Sequence, residues 1–89
     1  MPDVRDLRCF ILVYDLGGFA RAAKALNLTQ SSVSARILKL EREFNGPLFV
    51  RLHRSIVPTH KGERAYRYAK DVVNRVDEGA RRIRDSEAA

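Results

Sequence analysis

The sequence predicts a mainly α-helical fold: a winged helix-turn-helix of three helices and a two-stranded wing, followed by one long helix. Three observations carry this. Val33, Ile37, Leu40 and Phe44 recur four, three and four apart, a spacing that lines one face of a helix with 3.6 residues per turn. A shorter apolar pattern, Phe19, Ala22, Ala23 and Leu26, stands just before it, and the break Asn27-Leu28-Thr29 is long enough only for a tight helix-turn-helix connection. Beyond Phe44, two short β-favouring runs precede a stretch from His60 to Arg84 with heptad-spaced apolar residues.

The first helix is expected over residues 3 to 15, with Asp3 as its cap and Leu7, Phe10, Ile11 and Tyr14 on one face as the floor of the core. Arg5 and Arg8 fall off that stripe, to meet a phosphate or solvent. Gly17-Gly18 ends the helix. The second helix, Phe19 to Leu26, starts from Gly18, a weaker cap than serine or threonine, and its alanines allow close packing. Asn27 tolerates a left-handed conformation, Leu28 plugs the turn, and Thr29 caps the third helix.

The third helix spans Thr29 to Phe44, and its outer face carries Ser31, Ala35, Leu38, Lys39 and Arg42 without a bulky acid. Its first turn, Gln30, Ser31 and Ser32, consists of small or hydrogen-bonding side chains suited to a nucleic-acid groove. Asn45-Gly46-Pro47 stops it, with Gly46 expected in the left-handed turn. Leu48 to Arg51 and Ile56 to Pro58 then flank Leu52-His53-Arg54-Ser55 as a small hairpin, and Pro58 limits the second strand. Arg51, His53 and Arg54 are its candidate contacts to a nucleic-acid backbone or minor groove. Thr59 caps the last helix, in which Tyr66, Ala69, Val73, Val76, Ala80 and Ile83 form a heptad seam expected to join a second copy, while Ala65 and Val72 widen the stripe at its N-terminal end, which is expected to rest on the domain core. A polar, frayed end is expected over Asp85 to Ala89.

Eighty-nine residues, 45% of them hydrophobic, suffice for one small core. A net charge of +6 favours a polyanionic partner. The whole excess sits between Leu16 and Lys61, where eight basic residues face two acidic ones. The single cysteine, Cys9, lies in the apolar run CFILV and reads as a buried core thiol, with a reactive role as the alternative. No signal peptide or membrane-length apolar run is visible, so a cytoplasmic location is expected. His53 and His60 lack matching carboxylates, so no metal is expected. Paired carboxylates, a nucleophile with its base and a phosphate loop are likewise not visible, so neither enzymatic activity nor a cofactor is expected.

With these residues in view, the chain resembles the N-terminal DNA-binding domain and linker helix of LysR-type transcriptional regulators. The most telling stretches are GGFARAAKALNLTQSSVS for the two-helix unit and LFVRLHRSIVPTHKG for the wing leading into the linker. The resemblance implies a winged helix-turn-helix over residues 1–59 and a linker, or dimerisation, helix over 60–89. It implies that Gln30, Ser31, Ser32, Ser34, Ala35 and Arg36 enter a major groove, and that Arg51 and Arg54 approach the backbone or minor groove. Thr29, Lys39 and His53 complete the expected DNA-binding set. The chain departs from the family pattern at Gly18, where a serine cap is common, at Ala35, often arginine, at Pro58, commonly leucine, and at Lys61, usually a small residue. Full-length members carry an effector-binding domain, for which these residues offer nothing, so the chain is expected to be a fragment cut after the linker helix, or else a naturally short relative.

The expected function is sequence-specific binding of double-stranded DNA by a homodimer, with base preference from Gln30, the serines and Arg36. The alternative is a winged-helix protein–protein module whose basic face is incidental. The two differ in salt-dependent retardation of duplex DNA, which the second lacks.

Overall fold

The computed structural model describes residues 1–87, in which four helices and a hairpin follow in the order α1 (Val4–Leu16), α2 (Phe19–Leu26), α3 (Gln30–Glu43), β1 (Phe49–Arg51), β2 (Ile56–Pro58) and α4 (His60–Asp85). This is the fold expected, a mainly α winged helix-turn-helix with a trailing helix. Ser86 and Glu87 follow α4 without regular structure, while Ala88 and Ala89 of the expected polar end lie outside the described residues.

Helix starts follow from their caps. The side chains of Asp3, Thr29 and Thr59 accept hydrogen bonds from the N–H groups of Arg5, Ser32 and Gly62, each satisfying a donor that has no partner within its helix. Such a cap contributes about 1 kcal/mol. Gly18 supplies no side-chain bond to α2. Helix ends follow from left-handed residues: Gly17 at φ 72° closes α1 and Asn27 at φ 56° closes α2.

The end of α3 differs from expectation. Asn45, at φ 61°, takes the left-handed turn and Gly46 does not. Asparagine is among the few side chains that tolerate this region. Gly46 instead lies beneath the side chain of Lys61, which donates to the Asn45 carbonyl at 2.9 Å. Lys61, where the family resemblance implied a small residue, therefore ties the end of α3 to the start of α4.

The core gathers Leu7, Phe10 and Val13 of α1, Ala22 and Ala23 of α2, Val33, Ile37 and Leu40 of α3, Leu48 before the wing, and Ala65, Ala69 and Val73 of α4. Helix α1 packs on the other three helices, as a floor should. Cys9 is buried within it, and that burial raises the thiol's pKa, which keeps it protonated. Leu28 plugs the α2–α3 turn against this cluster. The strands pair antiparallel with Val50 opposite Val57, and Pro58 is the last residue of β2.

Within the protomer the expected seam of α4 is divided. Ala69 and Val73 are buried in the chain's own core, and Tyr66 stacks on Tyr14 of α1 at 3.9 Å between ring centroids. The Tyr66 hydroxyl also donates to Asp15 at 2.7 Å. The first half of the heptad face is thus consumed within the protomer, because α1 offers it an apolar surface. Beyond Val73 none of the described α4 residues is buried, and Val76 and Ile83 are exposed. The projecting half of α4 draws the molecule out to 57 Å along an axis against 26 and 18 Å across. Among the described residues no helix is long and apolar enough to cross a membrane.

Candidate nucleic-acid interface

Three elements converge on one open groove. The Gly17–Gly18 turn with the start of α2, Gln30 at the start of α3, and residues 51–56 of the wing line it together. Its volume is about 490 Å³, and none of its lining residues is acidic, whereas Arg21, Arg51, His53 and Arg54 all belong to it. This is the positive side of the domain made concrete.

The wing is fixed in place by polar bonds at its root. Glu41 of α3 accepts the Leu48 N–H at 2.8 Å, and Thr59 gives its hydroxyl proton to the Pro47 carbonyl at 2.7 Å while its N–H bonds Leu48 O at 3.0 Å. Glu41 is thereby turned from the outer face of α3 toward the wing. Arg51 extends over the Phe19 ring, 4.4 Å from its centroid, a cation–π contact that braces β1 on α2. At the tip, the Leu52 N–H bonds the Ser55 carbonyl at 2.8 Å and presents His53 and Arg54 to solvent.

The first turn of α3 is built on the Thr29 cap. Thr29 Oγ1 accepts the Ser32 N–H at 3.1 Å and donates to Ser32 Oγ at 2.8 Å, with Ser31 Oγ 3.2 Å away. Gln30, Ser31, Ser32 and Ala35 are exposed, and Ser34 is half-buried. Further along the helix, Leu38 is 47% exposed on the same ridge as Ala35, and Arg42 follows it. The acid-poor outer face expected from the sequence is therefore present, with an apolar step at Ala35 and Leu38.

Two of the expected contact residues are engaged elsewhere. Asp6 of α1 is buried, and its Oδ1 accepts a hydrogen bond from Arg36 Nη1 at 3.1 Å. Lys39 Nζ stands 3.3 Å from Oδ2, close enough for a charge contact though not aligned as a hydrogen bond. Arg36, half-buried, therefore points at α1. Arg5 and Arg8, open at the sequence level between phosphate and solvent, are paired with Asp3 and with Asp77 of α4.

Sequence reasoning missed Arg21 and Ser55, which line the groove, and left Leu38 out of the contact set. Arg21 belonged to the basic block, but nothing in its spacing said that α2 would turn it toward a wing some thirty residues on. Its guanidinium is held near the groove by a 3.2 Å bond to the Leu16 carbonyl.

With this geometry in hand, likeness to known proteins becomes specific. A family model described as bacterial regulatory helix-turn-helix protein, lysR family, matches residues 4–63. The chain belongs to the lysR family. It is thus placed in a family of regulators, not of enzymes. A LysR-family relative, the HTH-type transcriptional regulator CzcR of Bacillus cereus, is 41% identical over 85 residues, covering 96% of this chain. The chain spans 30% of that relative's length. Among solved structures, the BenM DBD/catB site 1 DNA complex superposes with a TM-score of 0.84 at 31% identity, covering 96% of this chain and 99% of that one. The CbnR DBD–DNA complex gives 0.86 at 29% identity, covering 92% and 94%.

Proposed function

We propose that this chain binds double-stranded DNA sequence-specifically, as the DNA-binding part of a dimeric transcriptional regulator working in the cytoplasm. The observation that carries the reading is the acid-free groove that sets Gln30, at the tip of α3, beside Arg21, Arg51, His53 and Arg54. Two LysR-family structures that cover nearly all of this chain's length are DNA complexes, which supports it further.

In this reading the N-terminal turn of α3 enters the major groove. Gln30 reads adenine, since its amide donates and accepts as N7 and N6 require. Ser31, Ser32 and Ser34 bond base edges or phosphates. Ala35 and Leu38 present apolar surface, matched by thymine methyl groups in place of a guanidinium. The wing, through Arg54 and His53, lies on the backbone or minor groove, and Arg51 supports the wing from beneath.

Dimerisation falls to the part of α4 that the protomer leaves uncovered. Val76, Ala80 and Ile83 of the heptad seam remain for a second copy, and exposed Tyr68 flanks them. Exposed Val76 at 43% and Ile83 at 78% are otherwise left in water, an arrangement that a partner helix relieves. Two copies so joined present α3 to successive major grooves, with half-sites about one helical turn, or a multiple, apart.

In vitro selection from a random duplex library tests the whole reading. An enriched, interrupted dyad is the expected result. Dimerisation without enrichment or salt-dependent retardation sinks it in favour of a protein–protein module.

A further inference from the structure

Helix α3 carries three cations, Arg36, Lys39 and Arg42, on a surface expected to face a polyanion. Two of the three converge on one carboxylate. Asp6, with its side chain only 6% exposed, lies between Arg36 and Lys39, whose side chains are 30% and 57% exposed. The acids of α3 itself are turned elsewhere, Glu41 to the Leu48 N–H and Glu43 to the N-terminal ammonium of Met1 at 3.6 Å. Arg42 has no ion pair among the described residues.

Placed by its neighbours, Asp6 does more than fill a hole in the core. A buried carboxylate is tolerated only when compensated, and it holds its cations against solvent because leaving would strand its charge. A phosphate at the helix surface competes for the same guanidinium and ammonium, but it can be compensated by water and counterions, whereas Asp6 cannot. The contest therefore favours Asp6 for Arg36, the better hydrogen-bonded and more buried of the two cations.

We propose that Asp6 is a positioning residue for DNA recognition: it withholds Arg36, and in part Lys39, from the phosphates, so that α3 binds through its N-terminal turn instead of its bulk charge. This rests on the DNA reading above and gives that reading a specificity device. Non-specific affinity scales with phosphates neutralised, so a cation withheld from the backbone lowers binding to every sequence while leaving Gln30 and the serines to discriminate. It also pins the middle of α3 to α1, which fixes the angle at which the first turn meets a groove.

The test compares wild type, Asp6→Asn, Arg36→Gln and the double variant by binding to specific and random duplexes across salt concentrations, with circular dichroism to verify folding. Asparagine keeps the shape of Asp6 and loses its charge. Asp6→Asn should steepen the salt dependence by about one to two counterions, roughly a 3.5-fold greater loss of affinity per cation between 50 and 200 mM salt. It should also lower the ratio of specific to random binding. Arg36→Gln should leave the slope unchanged on its own and reduce it by about one in the Asp6→Asn background.

A slope that falls equally in both backgrounds places Arg36 on a phosphate already and overturns the proposal. So does an Asp6→Asn protein that is merely less stable, with slope and specificity ratio unchanged. Should Asp6→Asn fail to fold, Arg36→Gln alone carries the test: an unchanged slope supports the proposal and a loss of about one overturns it. A wild-type chain that retards no duplex overturns the DNA reading itself and this inference with it, whereas binding with an unaltered slope removes only the role of Asp6.

Discussion

Gln30 and Ala35 sit one helical turn and a half apart on α3 and divide the recognition surface between them. Gln30, exposed at the groove, offers paired hydrogen bonding, while Ala35 offers only a methyl group beside exposed Leu38. A bidentate amide–adenine contact discriminates by about 1–3 kcal/mol, so replacing Gln30 with Ala should relax preference at one position of each half-site and leave neighbouring positions unchanged. Repeating the selection with the variant measures this, and an unaltered motif removes Gln30 from the readers. At the same scale the sequence was a good guide to caps and a poor guide to partners. Asp3, Thr29 and Thr59 cap as their residue types require, because a cap is settled within three residues. Arg36 looked free and is bonded to Asp6, thirty residues away in the chain and invisible to any local pattern.

Between elements, the junctions of the wing and of α4 carry the most strain-sensitive contacts. Gly62, in the first turn of α4, stands so close to the Leu48 carbonyl oxygen that an added Cβ would overlap it. Backbone cannot yield as a side chain does, so Gly62→Ala should destabilise by about 1–3 kcal/mol, seen as a drop in denaturant midpoint with an unchanged slope. The α1–α4 junction is electrostatic as well as apolar. Arg8 donates to both carboxylate oxygens of Asp77 at 3.2 and 2.6 Å, and this hydrogen bonding holds the Asp77 pKa below its ordinary value of 3.8. A depressed carboxylate pKa stabilises the fold above the unfolded value, and the contribution is lost as pH falls through the folded one. Thermal unfolding of Arg8→Met should therefore lie below wild type at pH 5, with the gap closing toward pH 3. A gap independent of pH would assign the effect to packing alone. The starts of α1, α3 and α4 and the ends of α1 and α2 were legible because aspartate, threonine, glycine and asparagine punctuate them. Only the left-handed residue after α3 was misassigned, since Asn45 and Gly46 are both permissive and the choice falls to how Lys61 packs.

For the molecule as a whole, the proposed activity depends on joining two copies through a helix that the core supports for only half its length. Ile83→Glu places a charge on a side chain that is 78% exposed and touches no core, so the protomer's own stability should hardly change. Sedimentation should shift from dimer to monomer, and affinity for a two-half-site duplex should fall by about 10²–10⁴-fold as the tethering of the second half-site is lost. A dimer that survives this change would move the interface elsewhere on the chain.

The sequence by itself determined the fold, the helix-turn-helix register, the wing and the placement of excess positive charge, because these follow from periodicity, capping and composition, all local quantities. Tertiary structure alone decided how those features are shared. Packing against α1 took Tyr66, Ala69 and Val73 from the seam, and the buried carboxylate of Asp6 took Arg36 from the outer face of α3. A heptad pattern reports that a face is apolar, and a basic residue reports a charge. Which surface covers the one and which acid meets the other depends on residues brought together only when the chain closes on itself.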